Sequence, residues 1–267
     1  MSAPTMEAPE SAGLREQAAN LFAAEDRHFW FRARNRVIGR VVRSLVAGLP
    51  PGYRVLEVGC GNGNVLRVLE EVCVGTELAG MDLAAEKLSA ARQRVRCPLR
   101  QGDLHELPSE EPHHLIGMFD VLEHLNDDRA ALSAVRQALQ PGGRLLLTVP
   151  AHQSLWSYAD ENAGHCRRYS RAGLTQVLRE CGYDVPYCSE FMMVCFPLMW
   201  LGRRLAALGR KAHADPVSQR QLFQRELTVV PLINGLLRRM LQWEEPLLAR
   251  GWRLPIGASL LACAVRK

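Results

Sequence analysis

Residues 55–63 read Val-Leu-Glu-Val-Gly-Cys-Gly-Asn-Gly, and they narrow the folds open to this chain more than any other stretch. A short apolar run ends in an acid, Glu57. Glycines follow at alternate positions, Gly59, Gly61 and Gly63. Val65, Leu66, Val68 and Leu69 then recur on helical spacing. Strand, tight loop and helix in that order begin a βαβ unit. Glycine lets the backbone take positive φ and lets a ligand approach the main chain closely. The helix start offers unpaired N–H groups to an anion or carboxylate. Position 64 is Asn, so the spacing is G-x-G-x-G and not the G-x-G-x-x-G of dinucleotide binders. That departure argues against a nicotinamide oxidoreductase.

The remaining pattern extends the same architecture. Strands are expected over 53–58, 76–82, 96–101, 114–120, 144–149, 184–190 and 259–265, and helices over 63–72, 84–95, 128–140 and 171–181. Alternating β and α predicts an α/β fold, a Rossmann-like, doubly wound, seven-stranded sheet that is parallel where the two alternate. Ligands in such sheets bind beyond the carboxyl ends of the strands. Residues 1–13 are Ala/Pro/Ser/Glu-rich, lack a hydrophobic signal core and are expected to be a disordered tail. Residues 14–48 read as an N-terminal helical cap, and Pro50-Pro51-Gly52 separates it from a core over 49–190. Residues 191–257 read as a helical insertion before the final strand at 258–267.

Composition removes some classes of function. The formal charge of +5 is mild, and the lysines are only Lys87, Lys211 and Lys267. An arginine bias without a basic–aromatic stripe reads as genomic preference, so no nucleic-acid partner is expected. The eight cysteines form no C-x-x-C pair and share no ligand spacing with histidine. They read as reduced cytosolic thiols, so a cytoplasmic protein without a metal centre is expected.

The glycine segment, with Glu57, resembles the E-x-G-x-G-x-G motif of class I S-adenosylmethionine-dependent methyltransferases. The resemblance continues in order. Asp82 closes the apolar stretch from Leu78 to Met81, and Gly102-Asp103-Leu104 follows the third strand. Phe119-Asp120-Val121-Leu122-Glu123-His124 looks like the family's fourth-strand motif. Leu139 to Leu147, through Pro141-Gly142-Gly143, looks like the turn into strand five. It covers about residues 27–190 and the last strand.

The resemblance implies S-adenosylmethionine as cofactor and assigns roles. Gly59, Cys60, Gly61, Asn62 and Gly63 would hold its methionine part. Asp82, with Leu83 beside it, would take the ribose hydroxyls, as acids do in related nucleotide sites. Asp103 and Leu104 would contact adenine, and Asp120 and Val121 would lie beside the sulfonium. Glu57 would organise the loop. Plainer readings stand beside these: Asp82 as a helix cap, Asp103 as a turn residue, Glu57 as a strand-end acid. Glu123 and His124 follow on the substrate side, where either could be catalytic or His124 could simply cap the loop. The fourth motif, Asp-Val-Leu-Glu, lacks the Asn/Asp-Pro-Pro-aromatic signature that goes with nucleic-acid bases or protein amides.

Residues 148–169 follow strand five at the ligand edge. They resemble a bacterial small-molecule methyltransferase subgroup carrying Leu-Trp-Ser and Gly-His-x-Arg-Arg-Tyr. Trp156, Asp160, Arg168 and Tyr169 are the substrate-side candidates. His165 suits a general base near neutrality; the competing reading is an arginine–carboxylate network that braces the loop. The cluster from His28 to Arg34 belongs to the same subgroup. Trp30 and Arg34 are cofactor candidates there, with Arg34 able to clamp a carboxylate bidentately. In the insertion, Phe191 to Leu201 is apolar and is followed by Arg203-Arg204 and Arg210-Lys211. Eleven residues are too few to span a bilayer. They fit a membrane-surface helix, the lining of a pocket for a lipid-linked acceptor, burial, or a homodimer interface. The expected activity is methyl transfer to a small-molecule or lipid- or glycan-linked acceptor; the alternative is an inactive cofactor-binding scaffold.

Overall fold

The computed structural model describes residues 25–107, 111–208 and 230–267. The expected tail at 1–13, the first part of the expected helical cap, and Arg210-Lys211 lie outside the described residues. Seven strands form one sheet in the order β3-β2-β1-β4-β5-β7-β6. They are β1 (Arg54–Val58), β2 (Glu77–Asp82), β3 (Leu99–Gln101), β4 (His113–Phe119), β5 (Leu139–Pro150), β6 (Tyr183–Phe191) and β7 (Ser259–Arg266). The helices are α1 (Phe29–Val46), α2 (Asn64–Val72), α3 (Ala85–Ala91), α4 (Asp128–Ala138), α5 (Tyr158–Ala163), α6 (Arg171–Glu180), α7 (Cys195–Leu208), α8 (Pro231–Leu241) and α9 (Glu244–Ala249).

The sheet is doubly wound because its strands bury both faces. Val55, Leu115, Leu146 and Leu261 pack with Val37, Ile38, Leu66 and Leu69 from α1 and α2. Leu56, Ile116, Leu145 and Leu147 pack on the other face with Leu132, Val135, Leu174 and Leu178 from α4 and α6. Alternate residues of one strand therefore serve opposite layers.

The sheet is parallel except at its last strand. β1 to β5 pair in parallel, but β7 is antiparallel to both β5 and β6. Ser259, the first residue of β7, pairs with Pro150 and with Phe191, the last residues of β5 and β6. The segment between β6 and β7 thus leaves and returns at the carboxyl edge, so β7 must run backwards. Two differences from the expected elements have local causes. β5 begins at Leu139, which pairs with His113 before a register shift, so Pro141-Gly142-Gly143 is an irregular step and not a preceding turn. β3 shrinks to three residues because Pro98 precedes it and brings no N–H to the ladder. No described helix is long and apolar enough to cross a membrane.

Candidate active site

The carboxyl ends of β1, β2, β4 and β5 meet at the glycine loop. Gly59, Gly61 and Gly63 all have positive φ, at 71°, 54° and 78°. Two of them have different reasons for lacking a side chain. A Cβ on Gly59 would come within 2.5 Å of the Val121 side chain, so this glycine lets β1 and the loop after β4 close together. A Cβ on Gly61 would meet nothing within 4 Å, so Gly61 faces open space where a ligand can reach the main chain. The loop is pinned from below: the Gly59 and Cys60 N–H groups donate to the Met81 carbonyl at 2.7 and 3.0 Å.

Asp82, at the end of β2, accepts from the Gly61 N–H at 2.8 Å and from the Ala84 N–H at 2.9 Å. It shapes the glycine loop and the start of α3 at once, and each carboxylate oxygen keeps a lone pair for a further donor. Leu83 beside it is 68% exposed. Asp103 accepts from the His105 N–H at 2.9 Å in a single 3₁₀ turn, and Leu104 is buried beneath it.

Above the loop lies α1. Asn35 donates to the Asn64 carbonyl at 3.3 Å and also bonds the Asn64 side chain. Just before α1, Glu25 accepts from Asn62 at 2.7 Å, while Asp26 accepts from Asn64 at 3.1 Å and from Arg94 at 3.0 Å. The helix is therefore clasped to the loop through Asn62 and Asn64. Arg34 ion-pairs with Asp120, whose other oxygen accepts from Thr148 Oγ1 at 2.8 Å. Asp120 itself has φ of 56°. Here Arg34 spends an N–H on a protein carboxylate. Trp30 is partly buried on the core, and its backbone N–H donates to His28.

Two acids stand out as buried without adequate partners. Glu57 is 2% exposed and its Oε2 has no hydrogen-bond partner. Burial pushes its carboxyl well above the usual range, nearby Arg34 pulls it down, and Asp82 pushes it up. Glu123 is fully buried and neither oxygen has a partner. Burial raises it strongly, and Asp120 adds to the rise.

Glu123 faces the loop after β5. His165 Nε2 lies 4.0 Å from Glu123 Oε1, and its Nδ1 is 3.0 Å from Asp160 Oδ1. Asp160 also accepts from Arg168 Nε at 2.6 Å and from the Ser157 N–H at 2.9 Å. Burial would raise Asp160, but His165, Arg168 and Ser157 together hold it below the usual carboxylate range. The His124 ring sits edge-on to His165 at 4.8 Å, and its Nδ1 is 3.3 Å from the Gly164 carbonyl. Partial burial of the ring and the neighbouring His165 lower its pKa.

The structure thus gathers Glu123, His124, Asp160, His165 and Arg168 into one cluster. It directs two other candidates elsewhere. The Tyr169 hydroxyl donates to Asp128 at 2.8 Å, where Arg167 also pairs at 3.0 Å, and Trp156 donates to Glu161 at 3.4 Å. Sequence reasoning passed over Thr148, Asn35 and the His152–Glu190 pair, whose Nε2 and Oε2 are 2.7 Å apart. Glu190 also accepts from the Gly257 N–H, and His152 packs edge-on to Phe196. His152 and Thr148 lay inside the polar 148–169 segment. Asn35 and Glu190 carried no local signal, because their partners are 29 and 38 residues away.

Residues 25–186 match the family model described as a methyltransferase domain. The chain belongs to the methyltransferase-domain family. A Mycolicibacterium smegmatis protein named "Probable S-adenosylmethionine-dependent methyltransferase" is 29% identical over 164 residues, 60% of this chain and 61% of that one. The ubiquinone biosynthesis O-methyltransferase of Xanthomonas campestris is 32% identical over 105 residues, 37% of this chain and 43% of that one. The chain therefore matches less than two thirds of the length of either relative. Among solved structures, an S-adenosylmethionine-dependent methyltransferase from Mesorhizobium loti superposes with a TM-score of 0.51 at 20% identity, covering 83% of this chain and 95% of that one. A chain from the complex between the Haloferax volcanii Trm112 methyltransferase activator and a methyltransferase gives 0.57 at 17% identity, covering 92% and 93%. These likenesses show the fold.

The cofactor of this family is S-adenosylmethionine, and the residues of this methyltransferase fit it. The face of Gly61 is open, the start of α2 offers N–H groups, and the Asp82 carboxylate at the end of β2 keeps room for a further donor.

Proposed function

We propose that the protein transfers the methyl group of S-adenosylmethionine to a hydroxyl on a small molecule or on a lipid- or glycan-linked acceptor. The observation that carries this reading is the juxtaposition of two half-sites at one sheet edge. A glycine cradle with an open face lies on one side of Asp120. A polar centre lies on the other, where buried Glu123 and the exposed His124 just after Asp120 meet His165 from the loop after β5. The O-methyltransferase name of the Xanthomonas relative supports a hydroxyl acceptor.

When bound, the cofactor supplies a methyl already activated on a sulfonium. The protein's own work is to align the acceptor, exclude water and manage the acceptor's proton. Gly59 to Gly63 would hold the methionine part, Asp82 with Leu83 the ribose, and Asp103 with Leu104 the adenine. Asp160 can only accept from His165 Nδ1 as a carboxylate, which leaves the Nε2 lone pair facing Glu123 and the site. Arg168 secures Asp160 and bonds the Ala151 carbonyl at 3.1 Å, so the histidine is held on a rigid mount.

The described residues between β6 and β7, 192–208 and 230–258, form a cap over the acceptor side in this reading. The chain leaves and re-enters the sheet beside Pro150. Leu198, Trp200, Leu201 and Leu205 of α7 are exposed, with Arg204 stacked on Trp200 at 5.2 Å. An exposed apolar helix with a stacked arginine suits an apolar acceptor or the surface of a membrane that carries one.

The test pairs calorimetry with turnover. Wild type should bind S-adenosylhomocysteine and release it from S-adenosylmethionine in the presence of one of a panel of phenols and catechols. His165→Ala should keep that affinity while kcat falls about 10²–10⁴-fold. Normal turnover in His165→Ala would remove it from the chemistry. Wild type without affinity for S-adenosylhomocysteine would sink the reading as a whole.

A further inference from the structure

The geometry points to a divalent metal site formed by Glu123, His124 and His165, with one or more positions left open for the acceptor. One ligand atom from each of the three lies within 4.8 Å of the others. Ligands around a tetrahedral ion at about 2.1 Å stand about 3.4 Å apart, so small side-chain rotations close the set. Two histidines and a carboxylate with an open position is the donor set of a borderline ion such as zinc.

Three independent features favour an ion here over a chance cluster. The first is Glu123. It is fully buried, neither oxygen has a hydrogen-bond partner among the described residues, its nearest basic atom is His165 Nε2 at 4.0 Å, and Arg34 is committed to Asp120. A buried carboxylate is costly unless it is closely paired, Arg34 and Arg168 act on this one only through space, and a bound cation would pair with it directly.

The second feature is the orientation of the histidines. Backbone carbonyls only accept, so the contact from His124 to Gly164 requires the proton on Nδ1. The contact from His165 to Asp160 places its proton on Nδ1 as well. As neutral imidazoles both rings then carry the Nε2 lone pair that a metal ion needs. Donating the other ring N–H to a carboxylate or a carbonyl is the outer-shell arrangement that holds metal-binding histidines. The third feature is the rigidity of that outer shell. Asp160 is 1% exposed and bound by Arg168 and Ser157, in a capping box at the start of α5.

The inference rests on reading this centre as the acceptor side, and it deepens that reading. An ion held by Glu123, His124 and His165 would acidify an acceptor hydroxyl, whose proton would pass to solvent and whose oxygen would then attack the methyl carbon. The O–C bond forms as the C–S bond breaks, giving a methyl ether and S-adenosylhomocysteine. His165 then acts as a ligand and not as the base.

The experiment uses the full chain, stripped with a chelator and titrated with Co²⁺ as a coloured probe, without any S-adenosyl compound. Wild type is expected to take up one equivalent with the visible bands of a four- or five-coordinate ion. Glu123→Gln, which keeps the shape of the side chain and so preserves the fold, should abolish those bands. Asp160→Asn, which alters only the outer shell, should weaken uptake by about 10–100-fold. No stoichiometric band in wild type, or unchanged uptake in Glu123→Gln, would overturn the site. S-adenosylhomocysteine calorimetry on the stripped protein keeps the two questions apart. Binding there with no Co²⁺ uptake leaves a metal-free methyltransferase with His165 as base. Co²⁺ uptake without nucleoside binding leaves the metal site and removes the methyl-transfer reading.

Discussion

The glycine loop at 59–63 holds its shape through main-chain geometry, whereas the loop at 152–169 holds its shape through buried side-chain charges. In the first, three positive-φ glycines and N–H bonds to Met81 set the curve. Only Asp82 contributes a side chain from below. In the second, Asp160 gathers Arg168, His165 and the Ser157 N–H around one carboxylate. A backbone-built site tolerates loss of most side chains but no gain of one. A charge-built site behaves in the opposite way. This difference suits their proposed tasks, since a cofactor common to a whole family needs one invariant cradle while acceptors vary.

The largest expected effect tests the charge-built side. Asp160→Ala leaves Arg168 and His165 without their buried acceptor, which should cost about 3–5 kcal/mol of stability. Thermal unfolding measures the loss, and S-adenosylhomocysteine affinity should survive in the folded fraction. The same carboxylate carries a pH signature. Its folded pKa is depressed, so its stabilisation is complete above the unfolded value of about 3.9. It fades as pH falls through the lower folded value. The acid limb of wild-type stability should therefore flatten in Asp160→Asn. An Asp160→Ala protein as stable as wild type would show that this loop, too, is held by its backbone.

The backbone-built side should fail in the other way. Gly61→Val adds a side chain where nothing stands within 4 Å, so the free protein has room for it. The φ of 54° costs a non-glycine residue about 1–2 kcal/mol, which the fold can absorb. The added methyls fill the open face, and S-adenosylhomocysteine affinity should fall at least about 100-fold by calorimetry. Gly59→Val provides the contrast, because its Cβ meets Val121 and the damage should appear first in stability. If both variants lose only stability, the open face of Gly61 is not the cofactor's path.

The same contrast explains what could be read from the sequence. The glycine spacing, the strand-end acids and the β/α alternation are local, so residues 55–63, Asp82, Asp103 and Asp120 could be located without coordinates. The 152–169 segment showed its chemistry but not its geometry. Asp160, His165 and Arg168 joined one network, while Tyr169 turned to Asp128, 41 residues back along the chain. Nothing in residues 120–124 revealed that Glu123 would be fully buried with no partner, because that depends on α1, α5 and the β5 loop closing over it. The direction of β7 likewise depends on long-range geometry. A strand's sense follows from where the chain re-enters the sheet, and that was decided by the helices at 191–257.

Asp82→Ala lies between the two regimes, because one side chain there serves the backbone cradle. It removes acceptors for the Gly61 and Ala84 N–H groups and, in the proposed role, two bonds to ribose. Affinity for S-adenosylhomocysteine should fall about tenfold or more. Asp82→Asn keeps an oxygen for the loop and should recover part of it. Recovery of stability without recovery of affinity would assign Asp82 to the ribose as well as to the turn.

The smallest effect is expected at Asp103, and it sharpens the comparison most finely. Its carboxylate makes one bond, to the His105 N–H, in a single 3₁₀ turn. Removing that bond should cost stability about 0.5–1.5 kcal/mol. The proposed adenine contact would be lost in the same variant. Adenosine, which lacks the methionine part, separates the two effects. Asp103→Ala should weaken adenosine and S-adenosylhomocysteine by the same factor, a few-fold, since both carry the base. Asp82→Ala should also weaken both, because both carry the ribose, while Gly61→Val should spare adenosine relative to S-adenosylhomocysteine. A Gly61→Val protein that loses both ligands equally would mean that the cradle acts on the nucleoside, and that the side-chain and backbone halves of the cofactor site are not separable.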